Sequence, residues 1–159
     1  NRKVLALFFR HCAKLRHVNC KQKERNLTKF IMIDKLIEDY EDFHDALILN
    51  FEYKTNIDLS DRFKQGSEEI YLTMSCFNLK QDFVRQTVNI NFKEVETFKF
   101  NKYTGMVMNL FIEKDNETFI FDFDPIILSV DENSGKFILE KNPNSELLIK
   151  CKKLTFKVI

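Results

Sequence analysis

Tryptophan is absent from this 159-residue chain, and glycine (three) and proline (two) are scarce. Gly66, Gly105 and Gly135 stand alone, so there is no GxGxxG or Walker pattern, which excludes the common nucleotide-binding folds. Long apolar runs are also missing. No stretch approaches eighteen apolar residues, so no membrane-spanning helix is expected. The apolar run Val4–Phe9 follows Arg2-Lys3 but ends after six residues at Arg10-His11, too short for a secretion signal. The four cysteines, Cys12, Cys20, Cys76 and Cys151, form no close-spaced metal or redox pair. Cys76 and Cys151 sit in apolar alternations, where a thiol is a small buried hydrophobe, and a reducing, cytoplasmic setting is expected.

Histidine is nearly as scarce. After Met32 the chain has only His44, which leaves no cluster for a metal and no His-based triad. GxSxG and HExxH do not occur, and no cofactor is expected. His11, Cys12, His17 and Cys20 could be grouped as metal ligands, but their spacing matches no zinc pattern.

What is present divides sharply by charge. Nine of the 25 basic residues and one of the 24 acids lie in 1–31, a formal +8. Residues 32–159 keep 16 basic and 23 acidic residues, a formal −7. The near-neutral whole averages two opposites. Residues 32–159 read as a single acidic domain beginning at a methionine. Residues 1–31 read either as an appended basic arm or as upstream codons from a misplaced start. In the arm Val4, Leu7, Phe8, Cys12, Leu15 and Val18 recur at helical spacing, which would suit a membrane surface or nucleic acid, but any Lys-, Phe- and Leu-rich stretch yields such matches and that plainer reading is favoured.

From Met32 the patterns sharpen. Ile33, Leu36, Ile37 and Tyr40 fall on one face of a short helix that should stop by Asp42. After it the period becomes two. Expected strands run through Leu47–Tyr53, Ile70–Cys76, Val88–Phe92, Met106–Ile112, Phe119–Phe123, Phe137–Leu139 and Leu147–Val158. Phe98 and Phe100 extend the third beyond a break near Glu94-Val95, and a bulge is expected at Lys152-Lys153. The turns are too short for crossover helices. The expected fold is therefore mainly β (α+β), an antiparallel sheet or sandwich of about seven strands with one short N-terminal helix. Loops 55–67 and 77–85 are long enough to carry function.

Three constellations could carry chemistry. Phe43, His44 and Asp45 lie where helix gives way to strand, and a His beside an acid can act as a general base. Neighbouring strand residues point to opposite faces, so Asp45 should not hold its neighbour's ring, and a structural role at the junction is favoured. Asp122 and Asp124 alternate with three Phe, which an exposed strand face explains without chemistry. A small hydrolase using His44 with Asp122 or Asp124 is the alternative reading. Finally, Asp34, Glu38, Asp39, Glu41 and Asp42, with Asp45, oppose a single base, Lys35. Such a field speeds encounter with a basic partner and disfavours nucleic acid as a ligand of 32–159.

The order of these features, an acidic helix into Phe43-His44-Asp45-Ala46, then Val88-x-Ile90-x-Phe92-x-x-Val95, then a closing Ile149-Lys150-Cys151, resembles small bacterial immunity-type proteins of polymorphic toxin systems. Ile149 stands where many relatives have Phe. The resemblance implies a cytoplasmic, non-enzymatic inhibitor that neutralises a toxin by direct binding. A nuclease with a cationic substrate groove would suit the acidic surface. Asp34, Glu38, Asp39, Glu41 and Asp42 are the expected partner contacts, and no catalytic residue is implied.

Overall fold

The structure, a computed structural model, describes residues 33–40, 43–57, 59–60, 66–101, 105–115 and 117–159. The basic segment, with its grouped His and Cys residues, and Glu41 and Asp42 lie outside them. Leu36–Ile159 form one compact unit, and Asn1–Lys35 are assigned to a second. Helix α1 covers 33–40. Its apolar spacing puts Leu36 and Tyr40 out of solvent, and the buried Phe43 stacks on Tyr40 at 5.7 Å.

Among the described residues nine strands follow: β1 (Ala46–Lys54), β2 (Glu69–Asn78), β3 (Val84–Phe100), β4 (Met106–Val107), β5 (Phe111–Asp115), β6 (Thr118–Asp122), β7 (Ile126–Val130), β8 (Phe137–Glu140) and β9 (Leu147–Val158). Seven make one antiparallel sheet in the order β4-β1-β2-β3-β9-β6-β5, while β7 and β8 pair only with each other. The expected mainly β, antiparallel fold with one short helix is the fold observed.

The sheet is curled, and the chain itself shows how far. β4 and β5 occupy opposite edges, yet only Met108, Asn109 and Leu110 connect them. Four residue steps cannot separate the Cα atoms of Val107 and Phe111 by more than about 14 Å. The two edges therefore approach closely without pairing, and the sheet forms a half-barrel with a narrow seam. This corrects the single strand expected over Met106–Ile112. Its apolar alternation also runs in the other phase at the start: Val107 is buried, while Met106 and Met108 are exposed.

Inside the curl, every second residue of β2 (Ile70, Leu72, Met74, Cys76) is buried, and Val88, Ile90 and Phe92 of β3 match them. The ring of Phe92 meets Phe121 of β6 edge-on at 5.0 Å, across β9. All five residues of β6 are buried, so both its faces are covered. Cys76 and Cys151 are buried thiols, and burial pushes Cys76 up to about 12.

Two irregularities redirect side chains. In β1 the register shifts between Ile48 and Asn50, so Leu49 is an extra residue. Leu47 and Leu49 consequently face solvent, Ile48 is half-buried, and Phe51 and Tyr53 join Phe98 and Phe100 in a stacked cluster. The expected grouping of Leu47 and Leu49 with Phe51 and Tyr53 fails for that reason. In β9 the buried set changes phase between Cys151 and Leu154, as the Lys152-Lys153 slip suggested. The register shift, however, belongs to β3, between Val95 and Thr97, beside the left-handed Glu94. β3 is continuous there. Its acids receive the lysines: Glu96 takes Lys152 at 3.1 Å and Lys150 at 3.4 Å, and Glu94 pairs with Lys153.

Candidate functional site

One end of the half-barrel gathers the F-H-D-A motif, the seam, the β2–β3 turn and the β7–β8 ribbon around a cavity of about 480 Å³. That volume suits a small organic molecule.

The motif is accounted for residue by residue. Phe43 and Asp45 both adopt left-handed backbone (φ 55° and 58°), so this segment is a tight turn and not yet strand. Phe43 turns inward and is fully buried; Ala46, also fully buried, opens β1 opposite Val107. Between them His44 is turned out and stacks on Phe137 of β8 at 6.2 Å. Its Nδ1 lies 3.1 Å from Oδ2 of Asp45. The expectation that Asp45 could not hold its neighbour's ring is therefore overturned. Strand geometry would separate the two side chains, but the left-handed turn brings them to one side. The ring nitrogen facing Asp45 is Nδ1, and Nε2 is turned away from that carboxylate. Among the described residues nothing pairs with that Nε2.

The β2–β3 connection, expected as a long loop over 77–85, is mostly regular. β2 runs to Asn78, a 3-10 turn covers Leu79–Gln81, and β3 begins at Val84. Asn78 organises it by accepting from Lys80 N at 2.9 Å and donating to Gln86 Oε1, also at 2.9 Å. The same Gln86 oxygen takes the Tyr40 hydroxyl at 2.8 Å, tying α1 to the turn, and burial raises the Tyr40 hydroxyl above its usual range. Asp82 and Phe83 are both left-handed (φ 50° and 57°), although neither is glycine, and Phe83 and Val84 are 65% and 55% exposed. A large apolar side chain held exposed on a strained backbone points to function more readily than to stability.

The expected partner-binding acids meet different fates. Asp34 and Glu38 are exposed on α1, while Asp39 is buried. Lys80 lies 2.8 Å from Glu38 and 3.4 Å from Asp39, and its hydrogen bond to Glu38 raises the ammonium above its usual range.

The two carboxylates of the alternative reading are not part of the cavity wall. Asp122 is fully buried, not on an exposed strand face as expected, because β6 is covered on both sides. It accepts the backbone N–H groups of Asp124 (3.0 Å) and Asn142 (2.6 Å), and the Asn142 amide in turn donates to the Asp124 carbonyl oxygen at 2.8 Å. These bonds fasten the loop after β8 to the end of β6. Neither Asp122 nor Asp124 lines the cavity with His44, and among the described residues no Ser, Thr or Cys does. Among the described residues no group of His, Cys, Asp and Glu is placed to hold a metal ion, and no helix is long and apolar enough to cross a membrane.

Compared with protein-family models, with curated proteins and with solved structures, the chain matches none.

Asn109, in the seam, and Lys136, in the β7–β8 turn, also line the cavity and escaped the sequence reading. Asn109 sits between edges whose proximity no local pattern reports. Lys136 follows Asn133-Ser134-Gly135, which marked the turn without showing what the turn faces.

Proposed function

We propose that this domain is a non-catalytic protein-binding module of the immunity type, acting in the cytoplasm by binding and blocking a basic toxin. The observation that carries the reading is the surface around Lys80. There Glu38 stands beside a turn that exposes Phe83 and Val84, an apolar knob with an acidic rim. Interfaces draw most of their energy from such anchors, while rim charge sets encounter rate and orientation. The formal −7 of residues 32–159 extends the same field. Lys80 engages Glu38 and Asp39 in the isolated chain, so a partner's Lys or Arg would share these carboxylates with it. The exposed Lys80–Glu38 pair contributes little to folding, which leaves Glu38 available for exchange, while Asp39 is buried beside it.

The test is co-purification of the full chain with the product of the gene beside its own. Stoichiometric complex formation that suppresses that product's toxicity is expected, with Phe83→Ala weakening the complex by about tenfold or more. A neighbour that is neither bound nor neutralised would sink the immunity reading. Unaltered affinity in Phe83→Ala would remove this surface from it.

A further inference from the structure

The β7–β8 ribbon has two edges, and they are built differently. Among the described residues β7 and β8 pair only with each other, so each strand leaves one row of backbone groups outside any ladder. Natural edges are blunted by proline, by bulges and by charge. The β7 edge has all three. Pro125 precedes it, the register shifts between Ile127 and Ser129, and Asp124, Asp131 and Glu132 stand at its ends. β8 (Phe137-Ile138-Leu139-Glu140) contains no proline, and every one of its residues pairs in turn without a skip. Its backbone phase follows from the turn. The Asp131 N–H bonds to the Lys136 carbonyl oxygen, so the backbone of Lys136 faces β7. Alternation then turns the N–H and C=O groups of Phe137 and Leu139 to the open edge.

The side chains of β8 complement a second β8. When two copies of the strand lie antiparallel about Ile138, Phe137 faces Leu139 and Lys136 faces Glu140, each twice by symmetry. Cross-strand apolar and opposite-charge pairs stabilise such a ladder, and like charges oppose it. Glu140 is exposed and has no ion-pair partner among the described residues. Lys136 is already engaged, but an ammonium has three donors and can take this carboxylate as well. Phe137 and Ile138 are large apolar side chains left exposed on the single copy. The same arrangement of β7 about Leu128 would set Asp124 against Glu132 and repel.

We infer that β8 is the interface of a symmetric dimer of this chain, two ribbons joining edge to edge as one antiparallel sheet, β7-β8-β8-β7. Phe137 and Leu139 of facing strands exchange backbone hydrogen bonds, with Ile138 of each copy at the two-fold axis. An isolated two-stranded ribbon is marginal in water, and the second ribbon supplies the neighbours it lacks. An edge of 4 residues makes a small contact, so the dimer is weak and concentration-dependent. The inference stands apart from the toxin-binding reading, which uses α1 and the β2–β3 turn.

Sedimentation equilibrium of the full chain up to about 300 µM tests it. A reversible monomer–dimer equilibrium with Kd below about 100 µM is expected. Ile138→Lys, which sets like charges face to face at the axis, should weaken the dimer by about tenfold or more. Lys136→Glu and Glu140→Lys should each weaken it by about fivefold. The two together restore opposite-charge pairs and should return it to within about twofold of the parent. All three positions are exposed, so the thermal transition is retained in each variant and loss of the dimer is not loss of the fold. A monomer throughout that range overturns the inference. So does a dimer indifferent to Ile138→Lys, or one that the single exchanges leave unchanged or the double exchange fails to restore.

Discussion

β2 and β7 are both apolar antiparallel strands, but they are built on opposite principles. In β2 every second residue is buried and the other face is half-covered. In β7 all five residues, Ile126-Ile127-Leu128-Ser129-Val130, are exposed, and three of the four in β8 are as well. β2 is paired on both edges and has the core beneath it; among the described residues β7 pairs with β8 alone. The turn that joins β7 to β8 is chemically specified. Asp131 accepts from the backbone of Asn133 (2.8 Å) and Ser134 (3.2 Å), and Gly135, at φ +70°, donates its N–H to the Asp131 carbonyl oxygen. An isolated two-stranded ribbon is marginal in water, so this local chemistry carries much of its order. The contrast teaches that apolar content does not decide burial. Alternation in register with a covered neighbour does.

The largest expected difference between the two regions is in their response to truncation. Phe92→Ala removes a fully buried ring in contact with Phe121 and should cost about 3–5 kcal/mol in chemical denaturation. Leu128→Ala, at 57% exposure, should change stability by no more than about 0.5 kcal/mol. Similar losses at both positions would erase the comparison.

Glycine substitutions probe the same contrast. A Cβ on Gly66 would stand 2.1 Å from the Thr55 carbonyl oxygen, a backbone atom at the base of the β1–β2 loop. Gly66→Ala should therefore destabilise the whole sheet by about 2–3 kcal/mol, with the cooperative transition shifted and intact. At Gly135 a Cβ meets nothing within 4 Å, and only the left-handed backbone resists it. Gly135→Ala should cost about 1 kcal/mol and loosen only the ribbon, seen as faster amide exchange in β7 and β8. A global shift in Gly135→Ala equal to that in Gly66→Ala would contradict the division.

The smallest effect is in the pH response. Backbone N–H donation, first from Asn133 and then from Ser134, holds the Asp131 carboxyl below its ordinary range, and a hydrogen bond from Lys152 does the same for Glu96 in the sheet. Both groups have folded values below their unfolded ones, so their stabilisation is present above the ordinary carboxylate range and is lost as pH falls through the depressed values. Below about pH 4, amide exchange should rise first in the ribbon, which has no core to retain it, and then beside Glu96. Asp131→Asn should remove the acid dependence from the ribbon alone.

Much of the fold was legible because period-two alternation is a direct consequence of one covered face. The strands over Ile70–Cys76 and Val88–Phe92 follow it, as does the helix carried by Leu36 and Tyr40. Legibility ended where one residue changes the phase. The extra Leu49 in β1 reverses which side chains are covered, and nothing in Leu47–Tyr53 announces it. β7 was missed because a continuous apolar run without alternation carries no strand period. The F-H-D-A segment was legible as a junction. Its left-handed Phe43 and Asp45 were not, since neither residue type signals positive φ as glycine does. The cavity was the least legible, because it depends on Asn109 lying in a seam between strands at opposite ends of the sheet order.

On the proposed function, acidic charge and the Phe83 knob bring a basic partner to one end of this domain. Stopped-flow association of the full chain with its gene neighbour's product, with and without Glu38→Lys, tests it most directly. The rate constant should fall by roughly tenfold between low and high salt, and Glu38→Lys should be slower at low salt and less salt-dependent. Rates that are independent of salt and unchanged in Glu38→Lys would contradict it.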